Sequence, residues 1–153
     1  MAGVFSQIYI QIIIAVKGRG SLLQKPWRDE VFKYITGIIE GKNQKSIIVN
    51  GVEDHVHIFV GLKPSILISD LVRDIKNNSS KFINEQKFLK SKFAWQEGYG
   101  AFSYSKFQVQ TAYEYILKQE EHHHKKTFRE EYIEFLHKFE VEYDEQYLFD
   151  WIY

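Results

Sequence analysis

The sequence contains no cysteine, which excludes a disulfide framework and any metal site built from thiolates. A metal in this protein would be bound by histidine, carboxylate, amide or water. The sequence also lacks an apolar run near the roughly 18 residues that a membrane span requires. The apolar segment from Ile8 to Val16 is too short for a signal peptide and has no cleavage-type flank. We therefore expect a cytoplasmic protein with no membrane partner.

Net charge is absent as well, since the formal charge is zero at pH 7. A neutral chain by itself argues against a strongly nucleic-acid-binding surface. The total conceals an asymmetry: residues 1–106 hold 15 Lys and Arg against 9 Asp and Glu, a balance of +6, and residues 107–153 hold 5 against 11, a balance of −6. A basic body permits phosphate binding, but chance segregation in a short chain explains it equally well.

The chain has 153 residues, of which 44% are hydrophobic and 16% aromatic, enough apolar surface to form one folded core. We find no internal repeat and no linker. The sequence therefore predicts a single domain over residues 1–153, which ends in an acidic, aromatic tail at about 140–153.

The spacing of apolar residues predicts an α+β fold. Strands are expected at Gln7–Val16, Ser46–Val52 and His55–Leu62 and within Phe93–Ser105. Helices are expected from Pro26 to Gly41, from about Ile68 with Ser69 as its cap, and over Gln108–His123 and Thr127–Phe139. The order β-α-β-β-α-β predicts a ferredoxin-like (RRM-like) sandwich, an antiparallel sheet with helices on one face plus C-terminal helices. Such a fold does not by itself name a function.

Two histidines, His55 and His57, stand at the start of a predicted strand with Val56 between them. Because side chains alternate along a strand, both imidazoles should point to one face, while Val56 and Ile58 point into the core. Two adjacent imidazoles can bind one divalent ion such as manganese, zinc, iron or, less readily, magnesium. The alternative is a pair of partly exposed histidines without a ligand.

Gln119 follows Tyr115 by four residues on a predicted helix, so the amide and the phenol should share a face. Gln119 is then a candidate third metal ligand, and Tyr115 would lie beside a metal-bound phosphate. Tyr113 lies six residues before Gln119, which would place the two side chains on different faces of the helix. An ordinary helical tyrosine remains the alternative for Tyr115. The run 122–124 of three histidines permits a second metal site, although histidines also suit a helix end.

Four segments in this order resemble the single-tyrosine transposases of bacterial insertion sequences, the IS200-like group. These enzymes carry a histidine-hydrophobic-histidine (HUH) motif. The segments are GVEDHVHIFV at 51–60, LVRDIK at 71–76, WQEGYGAFS at 95–103 and YILKQEEHH at 115–123. The resemblance runs from about Ser6 to the tail segment 143–150, which is essentially the whole chain.

The resemblance implies that His55, His57 and Gln119 bind Mg²⁺ or Mn²⁺ and that Tyr115 is the catalytic nucleophile. A free tyrosine has a pKa near 10, so its phenol needs help to attack at neutral pH. Attack on single-stranded DNA would give a 5′-phosphotyrosine and free a 3′-hydroxyl. Another 3′-hydroxyl could reverse the step on a new strand without ATP.

The resemblance also implies homodimers that recognise DNA hairpins at the ends of an insertion element. No glycine lies between Ser103 and Tyr115, so it is open whether the tyrosine serves its own subunit or a partner. Core packing is the alternative role for Trp95. The candidate DNA-binding residues are Arg73, Lys76 and Lys81 for phosphates, and Trp95 and Tyr99 for stacking on bases.

Three other functions fit the same residues. A domesticated, transposase-derived endonuclease that cuts repeated chromosomal hairpins would carry the same catalytic groups. A non-catalytic nucleic-acid-binding module would share the topology, although no RNP-type run is present. In a metal-dependent phosphodiesterase that uses water, Tyr115 would be dispensable.

Overall fold

The computed structural model describes residues 3–153, so residues 1 and 2 of the predicted domain lie outside it. Its centre is an antiparallel four-stranded sheet in the order β2-β3-β1-β4. The predicted ferredoxin-like strands are confirmed. Each of the first three begins and ends within two residues of its expected bounds. The strands are β1 (Tyr9–Ala15), β2 (Lys45–Gly51), β3 (His55–Gly61) and β4 (Gly100–Tyr104).

Two helices, α1 (Lys25–Gly41) and α2 (Ile68–Gln86), pack on one face of the sheet. The main core lies there, and it takes alternate residues of the central strands, which confirms the predicted alternation. Among its fully buried members are Ile12, Ile14, Val56, Ile58, Val31, Ile35, Leu71 and Ile75. The predicted cap at Ser69 is wrong, because α2 begins at Ile68 after Leu67 and no side chain caps it.

The opposite face of the sheet is also covered, by α3 (Val109–Leu117) and α5 (Phe128–Lys138). Phe59 of β3 is fully buried in a small cluster with Ala112 and Ile116 of α3. Ile13 of β1 lies in a third cluster with aromatic side chains of α5. The two central strands are therefore covered on both faces, and the polar side chains of Gln11, His55 and His57 on the second face are buried.

The helix predicted over Gln108–His123 is interrupted at Lys118, after which α4 (Gln119–Lys125) begins. Asn50 of β2 compensates for the interruption. Its Nδ2 donates to the carbonyl oxygens of Ile116 at 2.9 Å and Leu117 at 3.2 Å, groups that a continuous helix would satisfy itself. The β2–β3 hairpin thus holds the end of the helix that carries Tyr115.

The aromatic tail folds back onto the domain. The side chain of Gln96 accepts a hydrogen bond from the Asp150 amide and donates one to its carbonyl, both at 2.8 Å. Phe149 and Trp151 pack against Phe128 of α5. Among residues 3–153, no helix combines the length and the apolar character needed to cross a membrane, and the cytoplasmic location stays a prediction.

Replacing Asn50 by alanine should destabilise the domain, because it leaves two helix-end carbonyls without their donor. We expect the free energy of unfolding to fall by about 1–2 kcal/mol, measured by urea denaturation. Asn78→Ala, at an exposed position of α2, is the matched control and should change stability by less than about 0.5 kcal/mol. Equal effects of the two substitutions would contradict the bracing role of Asn50.

Candidate active site

His55 and His57 lie side by side on the second face of the sheet, as predicted, with ring centroids 5.0 Å apart. They are only 1% and 0% exposed, so the alternative of two partly exposed histidines is wrong. The ring of Phe128 stacks in parallel on His55 at 3.9 Å. Helix α5 therefore closes the imidazole pair off from solvent.

A hydrogen bond orients each imidazole through its Nδ1 atom. His55 Nδ1 lies 2.7 Å from Asp54 Oδ1, and His57 Nδ1 lies 2.5 Å from Gln11 Oε1. Since both partners are acceptors, Nδ1 carries the hydrogen and Nε2 of each ring faces the same small space. Metal-binding histidines are oriented in this way. Gln11 is itself held, because its Nε2 donates to the Tyr104 hydroxyl at 2.5 Å.

Glu131 of α5 projects into the space between the two Nε2 atoms. Its Oε1 lies 2.9 Å from His55 Nε2 and 3.1 Å from His57 Nε2. Within residues 3–153, these three side chains form the one group of potential metal ligands whose donor atoms all lie within 4.8 Å of one another. The His-His-Glu group could hold a metal ion, whereas the histidine run at 122–124 forms no such group in this part of the chain.

Tyr115 and Gln119 meet the same carboxylate. The Tyr115 hydroxyl donates to Glu131 Oε2, and Gln119 Nε2 donates to that oxygen at 3.2 Å. Gln119 Oε1 lies 3.2 Å from His55 Nε2. The structure thus brings together the four residues that the sequence singled out for metal binding and catalysis, within one chain, and adds Glu131.

The break at Lys118 does not separate Tyr115 from Gln119. The Lys118 amide still bonds the Glu114 carbonyl, and the His122 amide bonds the Lys118 carbonyl, both at 3.2 Å. Hydrogen bonds four residues apart preserve the helical phase across the break. Residues four positions apart therefore still share a face, which is why the spacing argument holds even though the predicted single helix is two.

Burial is the strongest influence on both imidazoles, and it lowers their pKa values. At His55 the bonds and charges of Asp54 and Glu131 outweigh burial and raise the pKa to about 9. At His57 burial prevails and the pKa is lowered. Burial also acts to raise the pKa of Glu131, but the two histidines hold that pKa well below its usual range, so the carboxylate is ionised.

Burial lowers the pKa of His57, and in its neutral form this imidazole faces the Glu131 carboxylate at 3.1 Å. With its hydrogen on Nδ1, the ring presents a lone pair at Nε2, so two acceptors point at each other. A cation between them removes the conflict, and imidazole nitrogen with carboxylate oxygen is a common donor set for divalent metals. The residues present therefore fit a metal ion.

The phenol of Tyr115 depends on the same charge balance. Burial, followed by the negative charge of Glu131, raises the pKa of Tyr115 well above its usual value. The hydroxyl is therefore protonated and donates to Glu131. A positive charge nearby would favour the phenolate instead.

Glu131 and Gln11 were missed as site residues in the sequence, although each leaves a signal there. Glu131 lies within the apolar face of α5, between Phe128 and Phe135. Gln11 interrupts a strand that is otherwise apolar. A lone polar residue at a position that periodicity assigns to the interior is a candidate for function, because burying it requires a partner.

The predicted DNA-contact residues Arg73, Lys76, Trp95 and Tyr99 line an open groove of about 530 Å³. The groove runs along α2, on the face of the sheet that lies away from His55 and His57. Lys81 lies outside its lining. The Lys76 ammonium group donates to the Gln96 and Gly98 carbonyls at 2.7 and 2.6 Å. The Nζ atom of Lys81 lies 3.9 Å from Oε1 of Glu85.

The two predicted stacking rings differ in access. Trp95 is 8% exposed and donates through Nε1 to Ser79 Oγ at 2.9 Å, which is the core-packing alternative. Tyr99 is 38% exposed, so it is the ring of the two that a base can reach. DNA contact by these residues stays a prediction.

Comparisons with known proteins agree with the fold. A family model described as "Transposase IS200 like" matches residues 4–119. A crystal structure of a Deinococcus radiodurans R1 protein described as a transposase is 21% identical, with a TM-score of 0.63 over 78% of this chain and 95% of that one. A REP-associated tyrosine transposase bound to a REP hairpin is 15% identical, with a TM-score of 0.59 over 80% of this chain and 74% of that one. No curated protein matches the sequence.

Metal binding can be tested through Glu131. Mn²⁺ should raise the thermal unfolding midpoint, because a ligand that binds only the folded state stabilises it, by about 2.7 kcal/mol at a hundred times its Kd. Glu131→Gln keeps the side-chain size and removes the charge, so calorimetry should show an affinity for Mn²⁺ at least about tenfold lower.

The matched control is Glu134→Gln, which neutralises an exposed carboxylate one turn further along the same helix. It should retain the affinity of the unaltered protein, and His57→Ala should lose binding altogether. Equal Mn²⁺ affinities of the Glu131 and Glu134 variants would exclude Glu131 as a ligand.

Proposed function

The chain belongs to the IS200-like transposase family, and from this premise we propose that it is a single-tyrosine HUH enzyme. It cuts single-stranded DNA and rejoins it through a covalent bond to Tyr115. The observation that carries the proposal is the carboxylate of Glu131, which accepts the Tyr115 hydroxyl on one oxygen and meets His55 and His57 on the other. One side chain thus links the nucleophile to the paired imidazoles.

We propose that His55, His57 and Glu131 hold Mg²⁺ or Mn²⁺, with the Gln119 amide oxygen as a further ligand. A divalent ion bound there would polarise the scissile phosphate and stabilise the charge that builds on its oxygens. The support is the donor set of this chain: two oriented Nε2 atoms and an ionised carboxylate, all on buried side chains.

Tyr115 would be the nucleophile. Its oxygen forms a bond to phosphorus while the bond from phosphorus to the 3′ oxygen breaks, which leaves a 5′-phosphotyrosine and a 3′-hydroxyl. Glu131 Oε2 is the acceptor already in place for the phenolic proton, and the departing 3′ oxygen takes a proton from water. A 3′-hydroxyl on another strand can reverse the step, because the phosphotyrosine retains the energy of the original bond.

The substrate we propose is hairpin-marked DNA. The similar transposase structure that is bound to a REP hairpin supports this choice. Arg73, Lys76, Lys81 and Tyr99 are the proposed contacts. The ion pairs of Arg73 with Asp70 and Asp74 are at the surface, where such pairs contribute little, so a phosphate can replace them. Cutting of chromosomal hairpins by a domesticated relative would use the same chemistry.

Packing of the sheet argues against a non-catalytic RRM-like module. Such a module stacks bases on aromatic residues of its central strands, on the face away from its two helices. Here α3 and α5 cover that face, and Phe59 at its centre is fully buried. A base could reach it only after α3 had been displaced.

We propose that Tyr115 serves the site of its own subunit. Its hydroxyl bonds Glu131 of the same chain, and Asn50 ties the end of its helix to β2. The homodimer stays a prediction, since a site assembled from one chain does not require it.

The nucleophile can be identified with labelled single-stranded DNA from the genomic flanks of this gene, incubated with the protein and Mn²⁺. We expect a protein–DNA adduct that survives denaturation and that Tyr115→Phe abolishes. The substitution keeps the ring that stacks on His122 at 4.2 Å, so the fold should be retained.

Tyr113→Phe is the matched control, two residues away on the same helix, and should form the adduct normally. An adduct that persists in the Tyr115 variant would move the nucleophile elsewhere. Cleavage without any adduct would favour hydrolysis by water over strand transfer.

A further inference from the structure

A cavity of about 290 Å³ opens between α3 and α5, directly beside the phenol of Tyr115. Gln11, Tyr115 and Glu131 form part of its lining, so it is continuous with the site described above. Its volume is near the lower end of the range for pockets that hold small organic molecules. The roles proposed above for the metal ligands and for Tyr115 give this space no occupant.

The walls of the cavity combine aromatic surface with a few polar groups. Phe107, at its mouth, is 95% exposed, although a phenyl ring normally gains by burial. The Tyr104 hydroxyl accepts from Gln11 and keeps its own hydrogen for another acceptor. Gln108 Oε1 accepts a hydrogen bond from the Ser105 backbone amide. The amide hydrogens of the Gln108 side chain are left as donors. A flat ligand with acceptor atoms at its edge fits these groups.

The charge at the rim suits a phosphodiester chain. Glu134 lies 2.5 Å from Lys126 in a surface ion pair, which reduces its repulsion of a phosphate. Lys138 also lines the cavity and places a cation at its edge. A base inside the cavity and a phosphate at Lys138 would both be accommodated.

We infer that this cavity binds the base of the nucleotide whose 5′-phosphate becomes joined to Tyr115, stacked on Phe107. The inference rests on the proposed function. In a displacement at phosphorus, the attacking and leaving oxygens lie roughly in line. The nucleoside that leaves therefore points away from Tyr115, whereas the one that stays is held beside it, where the cavity opens.

Binding of nucleotides tests the subsite independently of DNA cleavage. The probes are the four deoxynucleoside 3′,5′-bisphosphates and the abasic 3′,5′-bisphosphate, titrated by calorimetry in the presence of Mn²⁺. At least one nucleoside probe should bind the unaltered protein about tenfold more tightly than the abasic probe, as base–aromatic stacking produces. Phe107→Ala should reduce this ratio to about one.

Phe5→Ala is the matched control, because Phe5 is equally exposed at 94% and lies outside the cavity; it should preserve the ratio. Thr111→Trp, at an exposed position of α3 in the cavity wall, should fill the space and remove the preference for a base without lowering the thermal midpoint. Equal binding of all five probes, or a ratio that survives Phe107→Ala or Thr111→Trp, would overturn the inference.

The two proposals fail separately. A covalent adduct formed by a protein that shows no preference for a base would overturn the subsite alone. A preference for a base that depends on Phe107, in a protein that forms no adduct, would overturn the strand-transfer chemistry and leave the subsite standing.

Discussion

The buried carboxylate of Glu131 is the interaction on which the site depends. One of its oxygens meets both imidazoles, and the other accepts from the phenol and the amide. Removing one partner from a buried ion pair typically costs about 3–5 kcal/mol, so these groups need each other. When His57 is neutral, the same cluster leaves the lone pair of its Nε2 facing an ionised oxygen, an arrangement that a divalent cation would complete.

The two histidines are buried because the sheet is covered twice. In the plain β-α-β-β-α-β arrangement one face is free, and related folds use that face for binding. Here α3 and α5 close it, and Asn50 secures the end of α3 where the helix breaks. Covering the face converts two strand histidines into a buried pair, and it also creates the cavity between the two helices. Exclusion of water and the shape of the cavity thus have one origin.

Much of the architecture could be predicted, because it follows from local periodicity. Alternation along the strand that begins at His55 placed both imidazoles on one face, and the structure confirms it. The four-residue spacing of Tyr115 and Gln119 placed them together, since the helical phase survives the break at Lys118. The break itself could not be predicted, because the donor that satisfies its free carbonyls, Asn50, lies 66 residues away in sequence.

The sequence by itself determined the order of strands and helices along the chain, the pairing of His55 with His57 and the shared face of Tyr115 and Gln119, because each follows from a repeat of two or about four residues. Only the tertiary structure decided that Glu131 and Gln11 belong to the site, that Trp95 is packed in the core and that a cavity lies beside Tyr115. Those facts depend on how α5 and α3 pack against the sheet. No periodicity encodes contacts between segments so far apart in the chain.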